Sequence, residues 1–259
     1  MTTLADAQPT GKPDYGNWVS KNFIVVPGVI GLLFLGLAIL FSPIWAILAA
    51  LWLLTSAYFA CARYQFAQDG KDVQGQIRRL VLGNLDWDGK GSALDIGCGN
   101  GALTVALARQ YPEACLTGID YWGGGWGYSQ ADCEENAALE GVADRLTIRK
   151  ASASALPFDD GHFDLVVSNL VFHEVKDTTD KRQLVREALR VVKTGGKFAL
   201  QDLFLMKPFY GEIDDLLDMI RSWGIREVRF IETCNAAFIP GLLKLPFMAG
   251  TLGLIVGKK

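Results

Sequence analysis

The residues whose types and spacing could do chemistry begin at Ala93-Leu94-Asp95-Ile96-Gly97-Cys98-Gly99-Asn100-Gly101, where an apolar run ends in an acid and breaks into alternating glycines. Glycine lets the backbone turn left-handed and approach a ligand closely, and a helix beginning near Ala102 offers free amides at its start. Asp95 sets a carboxylate beside that turn, which suits a cationic amino-acid group and opposes a pyrophosphate. A second acid, Asp120, closes the run Thr117-Gly118-Ile119-Asp120 about twenty residues further on, where a carboxylate can accept from both hydroxyls of a ribose. His173, with an unperturbed pKa of ~6.5, is a candidate general base, and Glu174 and Asp202 are further candidates. By itself the loop also fits the relaxed dinucleotide pattern Gly97-x-Gly99-x-x-Ala102. A nicotinamide-dependent oxidoreductase therefore stays open, as does a catalytically silent membrane scaffold.

These groups need a frame that brings strand ends together. From about residue 69 the chain alternates short apolar runs with helical patterns. Strands are expected at 92–96, 115–120, 146–150, 165–168, 197–203, 226–233 and 251–256, and helices at 73–82, 103–110, 130–140, 180–192 and 212–223. Such alternation argues for βαβ units and a parallel sheet covered on both faces. In Tyr121-Trp122-Gly123-Gly124-Gly125-Trp126-Gly127-Tyr128, three consecutive glycines among four aromatics exclude a regular helix or central strand. That segment reads either as an aromatic loop over a pocket or as a packed surface loop.

Downstream the order continues with Ala155-Leu156-Pro157-Phe158, Phe163-Asp164-Leu165-Val166, Ser168-Asn169-Leu170-Val171-Phe172-His173-Glu174 and Leu189-Arg190-Val191-Val192-Lys193-Thr194-Gly195-Gly196-Lys197. Taken together, residues 75–257 resemble the class I S-adenosylmethionine-dependent methyltransferases, in particular their small-molecule, ubiquinone-pathway-like branch. In that family a D-x-G-x-G-x-G loop wraps the methionine part of the cofactor. Asp95, Gly97, Gly99 and Gly101 match it, with Cys98 and Asn100 between them. Asp120 matches the ribose acid, with Tyr121 and Trp122 as adenine or ribose neighbours, and Asn169 lies in the segment that borders cofactor and substrate. Where the family often has an acid for the adenine amino group this chain has Ser152, whose hydroxyl, or the backbone of Ala153, would take that contact. The resemblance implies a Rossmann-like, seven-stranded, mostly parallel sheet, S-adenosyl-L-methionine as cofactor, and a small organic acceptor.

Ahead of this domain lies a different text. Residues 1–22 are polar and rich in proline and glycine; 23–41 and 44–60 carry no charge, and Ser42-Pro43 makes a turn between them. A bilayer-spanning helix needs ~20 apolar residues. The region is too long and its lead-in too mixed in charge for a signal peptide, and a two-helix membrane hairpin over 23–62 is expected, followed by the methyltransferase domain at 63–259. A buried core hairpin and a monotopic one are the alternatives. Lys12 and Lys21 precede the hairpin and Arg63, Lys71, Arg78 and Arg79 follow it, so the positive-inside rule puts the catalytic domain on the cytoplasmic side. An anchor of this kind favours a lipophilic acceptor and membrane lipid as partners. The apolar stretch 238–247 either lies against the bilayer or covers a sheet edge, and the hairpin offers a surface through which copies of the chain could pair. A net charge of −3 gives no reason to expect nucleic acid. Five scattered cysteines and two histidines give no disulfide framework and no metal site.

Overall fold

The computed structural model describes residues 11–123 and 127–259. They form two compact units, one of residues 17–77 and one of residues 78–259 joined by the N-terminal segment up to Gly16. In the smaller unit, α1 (Asn22–Leu40) and α2 (Trp45–Phe66) run for 19 and 22 residues. At ~1.5 Å per residue each matches a hydrocarbon core of ~30 Å, and both are long and apolar enough to cross a membrane. Their contact is made at small residues. A Cβ on Gly31 would lie 2.7 Å from Leu53 Cγ, and the Ser56 hydroxyl donates to the Ile24 carbonyl at 2.8 Å. Phe23 stacks on Phe59 and Phe34 on Trp45. The outer faces are bare: Leu33 is 65% and Ile39 78% exposed. Past the uncharged run that ends at residue 60 and the expected hairpin end at 62, α2 continues to Phe66, which Trp18 covers at 5.4 Å between ring centroids.

The larger unit follows α3 (Val73–Gly83), whose second half it contains. The elements are β1 (Gly91–Ile96), α4 (Ala102–Gln110), β2 (Ala114–Asp120), α5 (Gln130–Leu139), β3 (Leu146–Lys150), β4 (Phe163–Asn169), α6 (Arg182–Arg190), β5 (Val192–Asp202), α7 (Lys207–Tyr210), α8 (Ile213–Ser222), β6 (Glu227–Ile231) and β7 (Gly253–Lys258). The sheet order is β3-β2-β1-β4-β5-β7-β6, parallel except for β7, which runs against both neighbours. This is the expected seven-stranded, mostly parallel α/β sheet. Central strands covered on both faces read as continuous apolar runs. Leu94, Ile96, Val166, Phe198 and Leu200 pack toward α6 and α8, while Ala93, Leu165, Val167 and Ala199 pack toward α4 and α5. Residues 11–16, read from sequence as a polar lead-in, are tied to α5: Asp14 exchanges two 2.9 Å hydrogen bonds with the Asn136 side chain.

Two differences from expectation have local causes. β5 begins at Val192 rather than 197, because a register shift between Phe163 and Leu165 of β4 absorbs the left-handed Gly195 (φ 82°) and keeps the turn inside the ladder. The single turn α7 was not foreseen; Pro208 near its start suits a first helical turn, and four residues carry no periodicity.

Candidate functional site

All the groups singled out above lie where β1, β2, β4 and β5 end, at the edge where the strand order reverses between β1 and β4. In doubly wound sheets that crevice is where ligands bind. The loop after β1 is built on three left-handed glycines, Gly97 (φ 74°), Gly99 (φ 54°) and Gly101 (φ 85°). The Gly97 and Cys98 amides both donate to the Ile119 carbonyl, at 2.7 and 2.9 Å, fastening the loop to β2. A Cβ on Gly97 would lie 2.0 Å from Val171 Cγ2, so only glycine lets the loops after β1 and β4 close on each other.

Asp95 is 2% exposed and faces the first turn of α4, where its Oδ2 accepts from the Thr104 hydroxyl at 2.6 Å. Burial, opposed by the Thr104 hydrogen bonds and aided by the Asp120 charge, pushes its pKa up to about 7. Asp120 is engaged in holding the loop: its Oδ2 accepts from the Gly99 amide at 2.9 Å and its Oδ1 from the Trp122 amide at 2.8 Å. Each carboxylate oxygen keeps a second acceptor position, which two ribose hydroxyls require. Trp122 adopts φ 44°, unusual for a bulky residue, and its indole N–H donates to the Gly99 carbonyl at 3.0 Å. Tyr121 lies outward, with the Lys150 ammonium 5.0 Å from its ring centroid. Of the expected aromatic loop, Gly124, Gly125 and Trp126 fall outside the described residues; Tyr128 packs against Gly99. Cys98 is buried, and the Asn100 side chain is used on Ser129 and Asp14.

Beyond β4 the backbone kinks at Leu170 (φ 62°), the other left-handed non-glycine among the described residues of this unit. The kink delivers the Val171 and Phe172 amides to Asp202 Oδ2 at 3.1 and 2.8 Å. Asp202 is fully buried at the end of β5, and its Oδ1 also receives the Leu203 amide and His173 Nδ1, both at 2.7 Å. Burial alone would lower the histidine pKa, but the Asp202 carboxylate and the Glu174 carboxylate, 3.5 Å from Nε2, push it up to about 10. His173 is therefore an imidazolium at neutral pH, a state that its sequence position and ordinary pKa did not foretell. Tyr210 of α7 buries its hydroxyl beside Asp202 without good hydrogen-bond geometry, and that charge together with burial raises its pKa. The signal for Tyr210 was absent from the sequence, since α7 has no pattern.

The Ser152 hydroxyl is 2.8 Å from Asp177 Oδ2, which also receives Ser154 at 2.6 Å. A carboxylate, Asp177, thus lies beside Ser152, a contact that sequence spacing did not reveal. Ala153 is buried beside them. Asn169 Oδ1 is buried and has no hydrogen-bond partner, an unfilled acceptor among these groups. Among the described residues no group of His, Cys, Asp and Glu is arranged to hold a metal.

The donors and acceptors present, a left-handed glycine loop, the Asp120 and Asp177 carboxylates and the unfilled Asn169 amide oxygen, have the chemistry to fit a cationic amino acid joined to a nucleoside. A family model described as "Methyltransferase domain" matches residues 94–200. The ribosomal RNA small subunit methyltransferase C of Escherichia coli is 34% identical over 166 residues, covering 63% of this chain and 43% of that protein. The chain therefore spans less than half the length of such curated relatives. Among solved structures, a sarcosine dimethylglycine methyltransferase assigned in Galdieria sulphuraria superposes with a TM-score of 0.54 at 16% identity, over 73% of this chain and 87% of its own. The phosphoethanolamine N-methyltransferase 2 of Haemonchus contortus, in complex with phosphomonomethylethanolamine and S-adenosylhomocysteine, gives 0.53 at 16% identity, over 71% of this chain and 52% of its own. At such identities these two establish the fold. Residues 94–200 thus match a methyltransferase domain, and the groups around the crevice fit S-adenosyl-L-methionine as its cofactor.

Proposed function

We propose that the whole chain is a membrane-anchored methyltransferase that transfers a methyl group directly to a small, lipophilic acceptor from the cytoplasmic side. The observation that carries the chemistry is the meeting of the left-handed Gly97–Gly101 loop, Asp120 and the His173–Asp202 pair at one strand-end crevice. Anchoring is supported by two apolar helices whose outer faces are exposed.

In this reading Gly97, Gly99 and Gly101 give the cofactor backbone contact, Asp120 holds its ribose, and Asp177 with Ser152 meets the adenine. When bound, the cofactor supplies an electrophilic methyl group on sulfonium, so the protein's task is alignment of a nucleophile. His173 is protonated at neutral pH and acts as a hydrogen-bond donor rather than as the base its ordinary pKa suggested. Its Nε2–H, 3.5 Å from Glu174 and not in a short hydrogen bond, can turn to donate to an acceptor oxygen or sulfur. Glu174, held as carboxylate by His173, and Asp202 position that imidazolium.

The E. coli relative's name, a ribosomal RNA methyltransferase, supports a second reading with RNA as acceptor. A labelled-methyl assay on membranes and ribosomes from the same cells separates the two. Label in an organic-extractable small molecule is the expected result; label in RNA overturns the acceptor class. Calorimetric titration with S-adenosylhomocysteine and with NADH checks the cofactor, and binding of NADH alone would overturn it.

A further inference from the structure

We propose that the strand-end rim of the catalytic unit is itself a bilayer-docking surface, with the loop between β6 and β7 dipping into the lipid interface. The inference rests on the membrane-anchored reading above and adds which edge of the enzyme meets the lipid. Among the described residues of this unit, four large hydrophobic side chains are exposed: Tyr121 at 63%, Leu242 at 40%, Leu245 at 39% and Phe247 at 61%. A chain that merely leaves some apolar surface bare scatters it. Here all four lie on one edge. Tyr121 follows the last residue of β2, and the other three lie in the β6–β7 loop. Ile231 at the end of β6 pairs with Leu254, and Asp202 at the end of β5 pairs with Gly253. The loop therefore projects beyond the same strand ends that carry Gly97, Asp120 and His173.

The loop is built to present these side chains. Ile239, Leu243 and Ala249 are buried beneath it. The Ala249 amide donates to the Leu243 carbonyl at 2.9 Å, the Thr251 hydroxyl to the Pro246 carbonyl at 2.9 Å, and the Leu205 amide to the Thr251 carbonyl at 3.1 Å. Leu245 and Phe247 thus stand outward on a fastened turn, with Lys244 exposed between the apolar residues. Apolar tips with a lysine that can reach headgroups fit the boundary between acyl chains and headgroups. A bilayer is the occupant because the hairpin is covalently joined to this unit and keeps lipid at high effective concentration around it. A docked rim would open the crevice toward the phase where a lipophilic acceptor is dissolved.

The test uses the full chain reconstituted in phosphatidylcholine–phosphatidylglycerol vesicles containing a diazirine-bearing phosphatidylcholine. After irradiation, labelled peptides are mapped by mass spectrometry. Label is expected on peptides from α1 and α2 and on the peptide spanning Leu242–Phe247. The double variant L245S/F247S should lose most of the loop label, keep the hairpin label and keep its melting temperature. A labelled hairpin with an unlabelled loop overturns this inference and leaves the anchored reading standing. No label on either overturns both. Crosslinks from the loop to a second copy of the chain, in place of lipid, overturn it in favour of self-association.

Discussion

His173 Nδ1 sits 2.7 Å from Asp202 Oδ1, and that carboxylate, fully buried, also gathers the amides of Val171, Phe172 and Leu203. One acid therefore sets both the charge of the histidine and the course of the loop after β4. The folded pKa of His173 is about 10 against an ordinary 6.5. A raised histidine contributes stability that is fully present below its unfolded pKa and is lost as pH rises through the folded one. We predict that urea-unfolding stability falls by a few kcal/mol between pH 6.5 and 10, and that His173→Gln removes most of this decline. Unchanged pH dependence in the variant would refute the assignment. Asp202→Asn leaves the imidazole without its buried partner and should cost ~3–5 kcal/mol.

Gly97 tests the cradle. Its φ of 74° costs a side-chain-bearing residue about 1–2 kcal/mol, and a Cβ there meets Val171 Cγ2 at 2.0 Å. Gly97→Ala should weaken S-adenosylhomocysteine binding at least tenfold by calorimetry. Adding Val171→Ala removes the overlap but leaves the backbone cost, so affinity should return only in part. Full additivity of the two changes would show that the side chains do not compete for one space.

Asp95 titrates near neutrality, since burial raises its pKa to about 7. An acid raised in this way favours the fold most when protonated, so its contribution declines as pH rises from 3.8 toward 7. If the cofactor's ammonium lies against Asp95, binding restores the carboxylate and releases a proton. Titrations at pH 6.5 in two buffers of different ionisation enthalpy should then differ in apparent heat. Equal heats in both, or an Asp95→Asn variant that releases the same proton, would place the ammonium elsewhere.

The legible parts of this molecule were those dictated locally. Left-handed turns demand glycine, so Gly97, Gly99 and Gly101 marked the loop without any contact being known. Asp95 and Asp120 stood out because charge is expensive at the end of an otherwise apolar strand. The helices α1 and α2 were legible from the two uncharged runs 23–41 and 44–60, although α2 runs on past Arg63. What escaped depended on residues far apart in the chain. Asp202 meets His173 through the β4–β5 register that pairs Asn169 with Gln201. Asp177 reaches Ser152 across 25 positions. No periodicity announces either contact, and the charged state of His173 follows only once Asp202 is known to be buried beside it.

The hairpin makes a topological prediction that separates spanning from monotopic insertion. Lysines and arginines flank both outer ends while Ser42-Pro43 carries no charge, so a spanning hairpin exposes the turn on the far side. Two helices of 19 and 22 residues are long enough for that and need no thinning of the bilayer. We predict that in intact cells a membrane-impermeant maleimide labels the new thiol of Ser42→Cys, while Cys115, exposed on β2, reacts only after permeabilisation. Peptide mass spectrometry keeps the two sites distinct despite the other cysteines. Protection of the new thiol until permeabilisation would place the turn inside one leaflet or on the catalytic side. Labelling of Cys115 in intact cells would put the methyltransferase domain on the opposite face from the one the flanking charges dictate.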